Sequence, residues 1–192
     1  MFDLIAQTFN ASLVAVTQLF LSAVVTSNPW FAVLEVQHDA TKQEVICSTR
    51  LEDSFTETLD DVLLSGQNIT LHFVFEFYEA GQAGPLKRSE VVNGFRYDKE
   101  AEIYYLYSSQ NRKLDKYFTL EAAKDAYITV QNLSTMNTDD LSPASEYFLK
   151  VTAFLDPIKL DDVGKSVNLM LRWASVKPTI ASEKFKLKLA ST

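Results

Sequence analysis

Residues 69–78 read Ile69-Thr70-Leu71-His72-Phe73-Val74-Phe75-Glu76-Phe77-Tyr78, and the alternation in this stretch decides the fold. Ile69, Leu71, Phe73, Phe75 and Phe77 fall on one parity, and Thr70, His72, Val74, Glu76 and Tyr78 on the other. Successive side chains of a strand point to opposite faces, so a period of two predicts one strongly apolar face and one of mixed polarity. That is the signature of an antiparallel sheet with a single buried face. Gly81, Gly84 and Pro85 supply the turn that follows. Lys87 to Tyr97 and Glu102 to Ser108 then read as two further strands, joined around Asp98 and Lys99.

Working outward, Trp30 to Val36 and Glu44 to Leu51 are strand-like, and a helix separates them from residue 69. Ser54 is placed to cap that helix, with Glu57 three residues on as a capping box and Gly66 at its end. Phe55, Leu59, Val62 and Leu63 form its apolar stripe. A second helix is expected from Thr119 through Leu120, Ala123, Tyr127 and Val130, although Tyr127 to Val130 suits a strand equally well. Downstream, Tyr147, Leu149, Val151, Ala153 and Leu155 alternate up to Pro157. Val167, Leu169, Leu171 and Trp173 alternate next, and Phe185, Leu187 and Leu189 alternate with Lys184, Lys186 and Lys188. Lysines on every second residue suit a sheet edge or a solvated face. The fold class expected is α+β: a mainly antiparallel, β-sandwich-like sheet with two helices packed against it.

Composition narrows the function classes. The chain has 192 residues, 47% of them hydrophobic, with 25 acidic and 18 basic side chains and a net charge of −7. Such a chain can bury a core, which argues against disorder, and its acidity argues against a general nucleic-acid binder. No charged side chain occurs between Asp3 and Glu35. Within this front end, Ala11 to Val25 is the most apolar run; as a helix it would rise about 22 Å, short of the roughly 30 Å bilayer core. Its length matches the apolar region of a secretory signal, with Val25 and Ser27 suited to cleavage before Asn28, but no Lys or Arg precedes it. Residues 1–27 therefore read as a signal peptide or an N-terminal apolar helix, and residues 28–192 as one α+β domain. A membrane association follows only if the front segment is retained.

Several chemistries lack their parts. The two histidines, His38 and His72, exclude a His-rich zinc site, and no Gly-x-Ser-x-Gly elbow is present. The five glycines form neither a dinucleotide-binding fingerprint nor a phosphate loop, so no cofactor is expected. Cys47, the single cysteine, lies in a strand-like run and reads as a buried structural thiol. His72 and Glu76 are expected to share one face of their strand, as a surface pair or as a hydrolase's catalytic pair. His38, next to Asp39, is expected to be solvated in a turn. Asn137-Thr138-Asp139-Asp140 resembles a calcium loop, but Leu141 stands where a third oxygen ligand belongs, which favours a capping turn. The most suggestive constellation is aromatic: Phe95, Tyr97, Tyr104, Tyr105 and Tyr107 on neighbouring predicted strands. Such rows ordinarily stabilise sheets, but exposed tyrosines can also bind sugar or peptide. Lys87, Arg88, Arg96, Arg112, Lys113 and Lys116 make this region locally basic. Arg96, Tyr97, Tyr104, Tyr105 and Tyr107 are accordingly the candidate contact residues for a ligand or partner.

The order of certain segments resembles a known family. Leu63-Leu64-Ser65-Gly66 leads into the strand Ile69 to Tyr78, followed by Phe95-Arg96-Tyr97-Asp98 and the Tyr-rich run Tyr104 to Tyr107. Then come Phe118-Thr119-Leu120-Glu121-Ala122-Ala123, Tyr147-Phe148-Leu149-Lys150-Val151 running into Leu155-Asp156, and Trp173. Over residues 30–189 this resembles the bacterial exported proteins grouped as domain of unknown function 4390. The resemblance implies a single α+β domain in the periplasm or cell envelope; it supplies no reaction, ligand or catalytic residue. The chain departs from the family in lacking a basic start and a tryptophan cluster after the long strand. The reading that follows is a non-enzymatic periplasmic or envelope-associated domain that binds or scaffolds another envelope protein, adding the aromatic, basic strands to a partner's sheet. The alternatives are a carrier of an apolar or sugar-like ligand, held along the Phe73, Phe75 and Phe77 face, and a hydrolase using His72 or a carboxylate pair.

Overall fold

The computed structural model describes residues 26–39, 41–160, 165–174 and 176–187; the apolar run Ala11 to Val25, and Lys188 and Leu189, lie outside them. The long alternating stretch becomes β3 (Ile69–Glu79), the centre of a six-stranded antiparallel sheet. It pairs on one side with β4 (Lys87–Asp98) and on the other with β8 (Tyr147–Leu155). Beyond β4 lie β5 (Ile103–Ser108) and then β6 (Lys113–Tyr117), and beyond β8 lies the short β11 (Thr179–Ala181), giving the order β11-β8-β3-β4-β5-β6. A three-stranded antiparallel sheet is made by β1 (Trp30–Asp39), β2 (Glu44–Glu52) and β7 (Thr129–Asn137), with β2 in the middle. A third, small sheet pairs β9 (Ile158–Leu160) with β10 (Lys165–Val167).

The odd-numbered face of β3 is the inner one. Ile69, Leu71, Phe73, Phe75 and Phe77 are all at most 1% exposed and share one buried cluster with the three-stranded sheet and both helices. The Phe73 ring meets Phe31 of β1 at 6.4 Å between centroids, and Phe77 meets Tyr147 at 5.6 Å and Phe185 at 6.0 Å. Helices α1 (Glu57–Leu64) and α2 (Leu120–Tyr127) cover the remainder of this face, beneath β4, β5 and β6. Phe95 of β4 packs edge-on against Tyr127 of α2, and Lys124 of α2 ion-pairs with Asp60 of α1 at 2.6 Å. One continuous buried cluster therefore runs from Phe31 to Trp173, and the architecture is the expected α+β sandwich. Cys47 of β2 is part of it; burial pushes the thiol up to about 12, which keeps it protonated and inert.

Some local expectations change. The N-cap of α1 is Thr56, whose side chain accepts from the Leu59 N–H, not Ser54. Ser54 is instead fixed by tertiary structure, its carbonyl accepting the buried Trp173 indole N–H at 2.8 Å. Gly66 does stop the helix, at φ +87°, a conformation natural to glycine. Thr119 caps α2 as expected, but the helix ends at Tyr127, and Val130 belongs to β7. The Leu51 N–H donates to the Ile128 carbonyl, drawing the β-branched Thr129 and Val130 towards β2. Val167 to Trp173 is not one strand. Asn168 caps a 3-10 helix over Leu169–Trp173, in which Leu169, Met170, Arg172 and Trp173 are all buried. Burial on more than one side of a segment is incompatible with a one-faced strand. Near the end, Phe185 makes a single bridge to Tyr147 while Lys184 and Lys186 stay exposed.

Candidate binding site on the outer sheet face

Strand parity divides the five candidate contact residues. Tyr97 and Tyr104 are partners across β4 and β5 and point inward, stacked at 4.6 Å, with Tyr104 also 6.0 Å from Phe95. Burial holds the Tyr104 hydroxyl above its ordinary pKa, with a smaller push from the neighbouring Tyr97. Arg96, Tyr105 and Tyr107 point outward. The structure brings these three together on one surface and sets the other two on the packed side.

The outward residues form two cross-strand rows. In the first, Arg96 of β4 pairs with Tyr105 of β5, which pairs with Lys116 of β6. In the second, Thr70 of β3 pairs with Gly94 of β4, Gly94 with Tyr107, and Tyr107 with Leu114. Asn68, Phe95, the second row, and Arg96 and Tyr105 of the first line an open groove of about 640 Å³, with Lys116 beyond its lining. Gly94 makes its floor. A Cβ built there would meet nothing closer than Tyr107 Cβ at 3.8 Å, so the missing side chain leaves space that a ligand can use.

The electrostatics of the groove differ from those of the rest of the acidic chain. The Arg96 guanidinium lies 5.8 Å and the Lys116 ammonium 5.6 Å from the centre of the Tyr105 ring. Two cations thus flank one aromatic ring, which stabilises both modestly while leaving their charge outward. Among the described residues, no carboxylate ion-pairs with Arg96, Lys116, Arg112 or Lys113. Some basic side chains elsewhere are paired, Lys150 with Glu76 at 3.2 Å and Arg50 with Glu52 at 2.6 Å and with Asp125, whereas Lys87, Arg88, Lys99 and Lys184 make no ion pair among the described residues either. Leu114 is 60% exposed, Tyr107 41% and the nearby Phe118 78%. An arrangement of exposed aromatic and apolar groups beside cations can hold an anionic, partly apolar ligand.

His72 stands on the same outer face, one step along β3 from Thr70, but its partner is not Glu76. Its Nδ1 lies 2.7 Å from Glu90 Oε1 on β4, and its Nε2 lies 3.0 Å from Asp156 Oδ2 beyond β8. The ring stacks on Phe154 at 4.6 Å, and the Lys177 ammonium sits 4.8 Å from that phenylalanine's centre on the neighbouring segment. Glu76 is drawn off by Lys150 across the β3–β8 pair. Both His72 nitrogens face carboxylates, and neither is hydrogen-bonded to a hydroxyl or thiol. The cluster clasps β3, β4 and the end of β8. His38 is not solvated in a turn: it is half-buried within β1 opposite Val45, and Asp39, the last residue of that strand, takes the turn by accepting from the Thr41 and Lys42 N–H groups. Asn137 caps the 3-10 turn Thr138–Asp140, its side chain accepting from the Asp139 N–H at 2.9 Å, and no cluster of metal-binding residues occurs among the described residues.

Asn68, Thr70, Gly94 and Leu114 were absent from the sequence reading of the site. Gly94, inside a strand, carried a legible signal, since an interior glycine marks a place where another group approaches closely. Leu114 was hidden because β6, Lys-Leu-Asp-Lys-Tyr, is too charged to look like a strand. A family profile described as Domain of unknown function (DUF4390) matches residues 28–161, which takes in β1 to β9 and every residue of the groove. No curated protein and no solved structure matches the chain.

Proposed function

The chain belongs to the DUF4390 family, a domain of unknown function, and from that footing we propose that it is a non-enzymatic, envelope-associated domain that docks another protein. One observation carries the reading: the outer groove runs out to β6, an edge strand with no further strand beyond it among the described residues. Four of the five β6 residues are exposed, and so are Tyr107 and Phe118 beside it. A contiguous surface of exposed apolar side chains with unpaired charge is the usual dress of an interaction site. The apolar run Ala11 to Val25, free of charged side chains, supports the envelope location.

The competing readings have less to stand on. A carrier of an apolar ligand asks for space along Phe73, Phe75 and Phe77, and those rings fill the core. A hydrolase using His72 asks for a nucleophile or water held by one of its nitrogens, and both face carboxylates. The docking reading is tested by placing a photo-cross-linking amino acid at Leu114, in the full chain expressed in its own host, with Trp30 of the three-stranded sheet as the control position. Trp30 is 55% exposed, so the two positions are equally accessible to solvent. Leu114 is expected to give a discrete adduct with another protein that Trp30 does not give. Absence of an adduct, or the same adducts from both positions, would count against docking.

A further inference from the structure

Resting on the docking reading, we propose that the partner contributes an extended acidic segment that adds to β6 as an antiparallel strand, with the side-chain order acidic-x-apolar. An edge strand presents unpaired backbone N–H and C=O groups that a further strand can take up. Lysine at a sheet edge normally discourages association, but it does so selectively: Lys116 on the outer face repels a basic strand and attracts an acidic one. The charge on this surface is uncompensated, as neither Lys116 nor Arg96 of the same row ion-pairs with a carboxylate of the described residues. Asp115 does not neutralise it, because it is one residue out of step and points to the opposite face.

The order of side chains follows from register. A seventh strand extends each row by one residue: one position opposite Lys116, another opposite Leu114. Residues 114 and 116 are two apart and share the outer face, so the incoming side chains are also two apart. Run antiparallel to β6, the segment meets Lys116 first and Leu114 second. It therefore carries an Asp or Glu, then any residue that tolerates the inner side next to Asp115, then an apolar residue against Leu114 and Tyr107. A second copy of the chain competes in one register only: antiparallel β6–β6 pairs centred on Asp115 or on Lys116 set like charges directly opposite, whereas one centred on Leu114 sets Lys113 opposite Asp115, so self-association is read out in the test.

The test uses the full chain, isotope-labelled, with two synthetic nonapeptides: Thr-Val-Thr-Glu-Thr-Leu-Thr-Val-Thr, and the same sequence with Lys in place of Glu. Exchanging attraction for repulsion at two cations predicts about tenfold tighter binding of the Glu peptide at low salt. It also predicts slowed amide exchange confined to Lys113–Tyr117, and reversal of the peptide preference in Arg96→Glu/Lys116→Glu. Both substituted side chains are exposed, and thermal unfolding of the variant confirms that it is folded. Equal binding of the two peptides, protection elsewhere than β6, or self-association of the chain through β6 would overturn the proposal. An adduct from position 114 that persists undiminished in the charge-reversed variant would also overturn it while leaving docking intact. Loss of any adduct from position 114 in the wild-type chain would remove the docking reading itself.

Discussion

The inner and outer faces of the six-stranded sheet are made by the same strands, yet they obey different rules. Inward, Phe73, Phe75, Phe77 and Phe95 are at most 1% exposed, and Phe73, Phe77 and Phe95 meet other rings at centroid distances of 5.6 to 6.4 Å. Outward, the same strands carry His72 between two carboxylates, a glycine-floored groove and two cations on one tyrosine. Tyr104 and Tyr105 are neighbours in sequence, but one packs against Phe95 and Tyr97 while the other faces the groove. Composition cannot separate them, whereas parity does.

The largest effect expected from this division belongs to the inner face. Phe75→Ala removes a ring from a filled core and is expected to destabilise the fold by about 3–5 kcal/mol, read by chemical denaturation. A value near that of an exposed residue would mean that the core is looser than its burial indicates. A smaller and sharper contrast separates the two tyrosines. Tyr104→Ala loses a half-buried stacked ring and should cost about 2 kcal/mol, whereas Tyr105→Ala should cost about 0.5 kcal/mol. Comparable costs at both positions would erase the distinction between a packing tyrosine and a contact tyrosine.

How much of this was legible in the sequence depended on how directly each feature is encoded. The strands β3, β5 and β8 and the start of α2 rest on local periodicity and capping, and each is found where its pattern lies. The strands β6, β9 and β11, and β7 beyond Val130, were missed. β6 is mostly charged and held by pairing with β5, β7 adjoins a helix that masks its start, and β11 has three residues. The 3-10 helix at Leu169–Trp173 was misread as a strand because its alternation is real in sequence, while its geometry is set by Trp173 reaching Ser54 across the core. At the site, Arg96, Tyr105 and Tyr107 were legible as chemistry. Their separation from Tyr97 and Tyr104 follows from parity alone, but their assembly with Thr70, Gly94 and Leu114 needs the register of four strands. His72 found its partners, Glu90 and Asp156, at positions that only the β3–β4 and β3–β8 registers bring together.

Filling the groove tests the central claim most directly, because it should separate folding from docking. Gly94 has room for a side chain, with Tyr107 Cβ at 3.8 Å as the nearest contact, so Gly94→Leu should occupy the groove without straining the sheet. The account predicts a melting temperature within about 2 °C of the wild type and an adduct from position 114 reduced about tenfold or more. A variant that melts with the wild type and still forms that adduct in full yield would contradict the claim that the outer face of β4, β5 and β6 is where a partner docks.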